Sequence, residues 1–155
     1  MDYEQTIRTS AGVEDAWAAL SAVTTYPQWT TSMSSVTPLD GAELEAGRRF
    51  RIKQPGFPPV VWHLTEVRPG ESFVWEAKSP GLHSLAFHRV SRDADGTTRF
   101  TIGVRQNGAL AGLMARLTAK RTRHYLQLEA AGLKAAAEAT AAKTTATTDR
   151  RTASR

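Results

Sequence analysis

Apolar and polar positions alternate along most of the first 108 residues and then change period. Tyr3 to Thr9 alternate in this way, as a half-exposed strand does. Val13, Ala16, Trp17 and Leu20 recur at helical spacing and predict the buried side of a short helix. Ser10 is placed to cap it, and Glu14 and Asp15 suit its positive end. A second brief turn, from Thr24 to Trp29, contains Pro27 and holds Tyr26 and Trp29 as core plugs or pocket walls. Six strand candidates follow, punctuated by glycine and proline, at roughly 34–39, 48–54, 60–67, 72–78, 84–92 and 97–106. The last comes after an Asp95-Gly96 turn signal. Short connections suit antiparallel neighbours joined by hairpins.

From Ala109 to Ala139 the chain is rich in Ala and Leu and free of proline, which predicts one long helix. Leu110, Leu113, Met114, Leu117, Leu128, Ala131 and Ala135 share a stripe expected to be buried. Arg116, Lys120, Arg123, Gln127, Lys134 and Glu138 fall on the opposite face, while Arg121 and His124 interrupt the apolar stripe. A helix this long needs a large surface to cover its stripe, and the strands upstream supply one. The order strand, two short helices, six strands, long helix predicts an α+β fold. In it, a seven-stranded antiparallel sheet wraps the last helix and leaves a cavity between them.

Strand alternation then sorts side chains by face. Phe50, Ile52 and Gln54 share one face, as do Trp62 with Leu64, and Phe73 with Trp75 and Ala77. Ser84, Ala86, His88 and Val90 form another set, and Phe100, Ile102, Val104 and Gln106 the last. These sets are large and apolar with a few polar members, Gln54, His88 and Gln106, which is the pattern of a small-molecule pocket. With Tyr26 and Trp29, and with Leu117, His124 and Leu128 from the helix, they are the candidate ligand-binding positions.

Composition narrows the class. A chain of 155 residues with 41% hydrophobic and 23% charged residues favours one domain with a single core. The absence of cysteine excludes disulfide and thiolate chemistry. No apolar run approaches the ~20 residues that span a bilayer, and the start lacks signal-peptide character, so a cytoplasmic protein without membrane insertion is expected. The net charge of +5 is uneven. Residues 1–108 hold 11 Lys/Arg against 12 Asp/Glu, and residues 109–155 hold 9 against 3. The basicity therefore belongs to the helix face and the tail, which reads as a solvated face rather than a specific nucleic-acid site. Residues 140–155, rich in Thr and Ala, are expected to be a disordered basic tail after a domain at 1–139. The four histidines have no HxH or HExxH spacing, and there is no phosphate loop or G-x-S-x-G elbow, so neither a metal nor a cofactor is expected. A monomer or weak dimer is the simplest state.

The segments VEDAWAALSAVTTYPQW, GRRFRIKQPGFPPVVWHLTEVRPGESFVWEAKSPG, AFHRVSRDADGTTRFTI and NGALAGLMARLTAKRTRHYLQLEAAGLKAAAE, in that order, cover about residues 3–138. Their order and spacing resemble the START/SRPBCC superfamily with its helix-grip fold, in its polyketide cyclase/dehydrase-like branch. The resemblance implies a sheet curled around the C-terminal helix over a hydrophobic ligand cavity. It names no shared catalytic set, because members include lipid binders, plant-hormone and pollen proteins, and cyclases.

His88 is the first candidate for chemistry, and the resemblance implies that it faces the cavity. It is either a hydrogen-bonded core histidine or a proton donor and acceptor for a ligand hydroxyl or carbonyl, since imidazole exchanges protons near neutral pH. Arg121 either runs its stem along apolar surface, pairs with an acid such as Glu76, or holds a carboxylate or enolate in the cavity. His63 and His83 read as surface residues. Three functions remain open. The first is a carrier that shields a hydrophobic or aromatic, lipid- or polyketide-like molecule. The second is a cyclase, aromatase or dehydratase using His88 and Arg121. The third, an interaction module, requires an exposed apolar patch that the pattern does not show.

Overall fold

The computed structural model describes residues 2–154. Strand β1 (Asp2–Thr9) leads into α1 (Val13–Ser21) and a 3-10 turn (Val23–Gln28). Strands β2 (Ser35–Pro38), β3 (Arg49–Lys53), β4 (Val60–Arg68), β5 (Ser72–Ser79), β6 (Leu82–Arg92) and β7 (Thr98–Asn107) follow, and α2 (Ala111–Ala153) ends the fold. All neighbours are antiparallel, in the order β1-β7-β6-β5-β4-β3-β2. Seven strands and the two short helices therefore stand where alternation and turn residues place them. The expected cap is different: α1 starts after Gly12 with no side-chain cap. The backbone N–H of Ser10 instead donates to Glu138 of α2 at 3.5 Å.

Alternation decides the layers. The helix-facing sets of β3 to β7 supply Phe50, Leu64, Phe73, Trp75, Phe100 and Ile102, each at most 3% exposed. Each such side chain gains roughly 1.5–3 kcal/mol from leaving water. The register shifts between Leu64 and Glu66, a bulge that bends β4 and helps the sheet curl. Gly103 marks a second close approach on β7, where a Cβ would lie 2.5 Å from the Tyr3 carbonyl and 2.4 Å from the Phe87 ring. Helix α2 lies against α1 and β1.

Two expectations for α2 are corrected. Its buried residues are Ala111, Ala115, Glu129, Ala130, Gly132, Leu133 and Ala137, not the leucine stripe. Leu110, Leu113 and Leu117 are 45%, 55% and 72% exposed, and Ala131 and Ala135 are also exposed. The concave sheet selects a face of small residues because the helix must approach α1 and β1 closely, and volume outweighs hydrophobicity there. The helix also does not stop at 139. It continues through the segment expected to be disordered, to Ala153. No glycine or proline interrupts it after Gly132. Thr140, Thr145, Thr147, Thr148 and Thr152 each donate a hydroxyl to the carbonyl four residues earlier, which satisfies these threonine side chains within the helix.

Candidate ligand-binding site

A cavity of about 890 Å³ lies between the inner face of the sheet and α2. His88 reaches it from the middle of β6, where the register sets it between Phe73 of β5 and Ile102 of β7. Glu129 reaches it from α2, and His88 Nε2 lies 2.9 Å from Glu129 Oε1. Both residues are 4% exposed. The imidazole stacks on Phe73, with centroids 4.4 Å apart and planes 8° from parallel, and meets the edge of Trp75 at 5.4 Å. With the Glu129 carboxylate ionised, Nε2 is the donor, and the neutral ring carries its lone pair on Nδ1. Nδ1 is buried and has no hydrogen-bond partner among the described residues.

Tyr26 lies behind this pair, its ring 6.5 Å from that of His88. Its hydroxyl donates to the Leu20 carbonyl at 2.6 Å. Burial, and after it the nearby Glu129 charge, push the phenol well above its usual pKa, so it stays a neutral donor. A second polar station sits along β6, where Gln106 Nε2 donates to Ser84 Oγ at 3.4 Å. Ser84 is four strand residues from His88, which places the two stations about 13 Å apart.

The cavity reaches the surface where exposed Pro58, Pro59, Pro80 and Leu110 join its wall. The β3–β4 loop forms one side of this mouth and is strapped to α2. Tyr125 donates its hydroxyl to the Pro55 carbonyl at 2.5 Å, and Arg121 Nη1 donates to the Gly56 carbonyl at 2.9 Å. The guanidinium lies 5.3 Å from the centre of the Phe57 ring, a cation–π distance. Lys53 closes the loop from the other end by donating to the Phe57 carbonyl. Gly56 turns the chain there with φ +76°, a conformation that favours glycine.

The expected site residues therefore separate into groups. Ile52, Gln54, Trp62, Trp75, Ala86, Val104 and Gln106 line the cavity together with His88. Phe50, Leu64, Phe73, Phe100 and Ile102 face inward but belong to the solid core rather than the wall. Tyr26 is core, and Trp29 packs on the backbone of Gly132. Leu117 and His124 are exposed, Leu128 is half-buried, and none of the three lines the cavity. Arg121 is an exposed clasp on the loop, and Glu76, its expected partner, instead meets His83 Nε2 at 2.8 Å. The helix contributes residues that its leucine stripe concealed, namely Thr118, Thr122, Tyr125, Leu126 and Glu129. The signal for Glu129 was its place one turn from Leu126 and Leu133, an acid within an otherwise small and apolar face.

A curled sheet gripping a long helix over a cavity defines the helix-grip class. The family described as "Polyketide cyclase / dehydrase and lipid transport" matches residues 1–138, and the chain belongs to it. Solved structures agree at the level of the fold. The hypothetical protein jhp0584 from Helicobacter pylori superposes with a TM-score of 0.71 at 16% identity, over 86% of this chain and 84% of that one. Truncated norcoclaurine synthase from Thalictrum flavum gives 0.68 at 11% identity, over 86% and 91%. The di-domain ARO/CYC protein BexL, from the BE-7585A biosynthetic pathway, gives 0.65 at 15% identity, over 89% of this chain and 46% of its own. No curated protein matches the sequence. Among the described residues no helix is long and apolar enough to cross a membrane, and no group of three His, Asp or Glu side chains is placed to hold a metal ion.

Proposed function

We propose that the domain binds a hydrophobic or aromatic small molecule, lipid- or polyketide-like, in the cavity between sheet and helix, with a ligand hydroxyl donating to His88. The observation that carries this reading is the cavity itself, about 890 Å³ with Trp62, Trp75 and Ala86 in its wall. Small-molecule sites are typically ~300–1,000 Å³, mostly apolar, with a few placed polar groups. The test uses the apolar fluorophore 1-anilinonaphthalene-8-sulfonate with the whole chain. It is expected to bind one per chain. Ala86→Leu, which extends a branched side chain into the cavity, should weaken binding at least about tenfold. A probe that ignores this substitution sinks the reading.

A second reading is favoured by the His88–Glu129 contact. A hydrogen-bonded acid–imidazole pair in an apolar chamber is costly to bury, and its net worth to stability is small against apolar side chains of the same volume. It is what proton transfer requires. In an aldol-type ring closure, the imidazole of His88 removes a proton from a carbon between two carbonyls. That carbon then bonds to a second carbonyl carbon, and the imidazolium returns the proton to the new alkoxide. Glu129 stabilises the imidazolium through Nε2–H, so it is a positioning residue rather than a second base. Arg121 takes no part, since its head is on the loop. Turnover of an identified polyketide-like substrate by a His88→Ala chain at the wild-type rate would remove this reading and leave the carrier reading standing.

A further inference from the structure

The first half of α2 carries two apolar stripes, and only one is buried. Ala111 and Ala115 face the domain, with Thr118, Thr122 and Tyr125 half-buried after them. More than a third of a turn away, Leu110, Leu113 and Leu117 face water, and these are the large hydrophobics left exposed among the described residues. The exposed stripe is continuous with the cavity mouth, because Leu110 and Met114 also line the cavity. Leu110 is seated on Gly81, where a Cβ would come within 2.8 Å of it. Exposed Pro58, Pro59 and Pro80 complete the apolar rim.

The charges around this stripe have one sign. Residues 109–128 contain Arg116, Lys120, Arg121 and Arg123, all exposed, and no Asp or Glu. A helix segment with exposed leucines and basic flanks matches the pattern of interfacial helices, which bury their apolar side at the headgroup boundary. The charge also selects the occupant. A second copy docking here in a two-fold pair would oppose four cations with four more, whereas an anionic lipid surface complements them.

We propose that the N-terminal half of α2 docks the domain, cavity mouth first, on an anionic phospholipid surface. Leu113 and Leu117 enter the headgroup boundary, and Arg116 and Lys120 meet lipid phosphates. The contact is peripheral, since no helix among the described residues is long and apolar enough to cross the bilayer. Passage of an apolar ligand between bilayer and cavity rests on the binding reading above, whereas the docking itself does not.

The experiment is flotation of the whole chain with vesicles of phosphatidylcholine alone, or of equal parts phosphatidylcholine and phosphatidylglycerol. The wild-type chain is expected to float only with the anionic vesicles. Leu113→Gln with Leu117→Gln should weaken that binding at least about tenfold, with an unchanged circular dichroism spectrum and melting temperature because both positions are exposed. Arg116→Glu with Lys120→Glu should abolish it, as should high salt. Absence of flotation with anionic vesicles, equal binding to both vesicles, or equal binding by the leucine variant overturns the proposal. A dimer that depends on Leu113 and Leu117 in sedimentation velocity, without flotation, assigns the face to a second copy and overturns it as well. Fluorophore binding in the cavity is read without vesicles, so failure of docking is distinguishable from failure of the binding reading.

Discussion

Trp29 occupies the space that a side chain at residue 132 would need. A Cβ on Gly132 would lie 2.4 Å from the indole Cε3 and 2.6 Å from the Trp29 carbonyl. The glycine sits inside α2, where alanine would ordinarily favour the helix by about 1 kcal/mol. Steric conflict with a backbone carbonyl outweighs that gain. Gly132→Ala is therefore expected to destabilise the domain by about 1–3 kcal/mol, in urea unfolding followed by circular dichroism. A stabilised variant would mean that the 3-10 turn carrying Trp29 yields freely.

The His88–Glu129 pair predicts a strongly non-additive double-mutant cycle. Removing one partner strands the other in an apolar chamber, so His88→Ala and Glu129→Ala should each cost about 3–5 kcal/mol. The double variant should cost clearly less than the sum, because neither group is then stranded. Additive losses in denaturant unfolding would show that the pair is solvated in solution. In that case it would lose its claim to be either an anchor or an acid–base site.

The fold was readable because strand alternation is a strict period of two, and the helix-facing sets all point inward. The site was readable only in part. Phe73, Phe100 and Ile102 face the right way, yet alternation reports facing and not depth, so core and cavity wall look alike in it. Hydrophobicity alone assigns the wrong phase to α2, because Leu110, Leu113 and Leu117 outrank Ala111, Ala115 and Ala130, whereas close approach of the helix to the domain favours the smaller residues. That phase concealed Glu129 and left a cavity role open for Arg121. Arg121 in fact reaches a backbone carbonyl of a proline-rich loop, a contact between residues 65 apart that no local pattern encodes.

Tyr26 predicts a loss of stability at high pH. Its folded pKa is raised by burial first and by the Glu129 charge second, above an unfolded value of about 10. Below pH ~10 both states keep the proton and the contribution of Tyr26 is complete. Above that, the unfolded chain releases a proton that the folded chain retains, so stability falls as pH rises, by up to about 1.4 kcal/mol per pH unit. Tyr26→Phe should remove this component of the slope. It should also cost about 1–2 kcal/mol at neutral pH, through the lost bond to the Leu20 carbonyl. Parallel slopes for the two proteins between pH 9 and 11 would contradict the assignment.

The last turns of α2 predict that helix and fold separate in stability. Ala141 is the final α2 residue packed against the core among the described residues, and beyond it the Thr144 hydroxyl donates to Asp15 at 3.0 Å. An exposed helix end held by hydrogen bonds within its own turns opens with little free energy. Its charges add little, since Lys143, Arg150 and Arg151 are exposed. A chain ending at Ala142 should therefore keep the wild-type melting temperature to within about 2–4 °C, a change of about 1 kcal/mol or less. It should lose far-ultraviolet helical signal in proportion to the residues removed. Amide hydrogen exchange on the whole chain should show slow exchange through Ala137 and fast exchange from Thr147 onward. A large drop in melting temperature would instead make the Asp15 contact a structural clamp between the two helices.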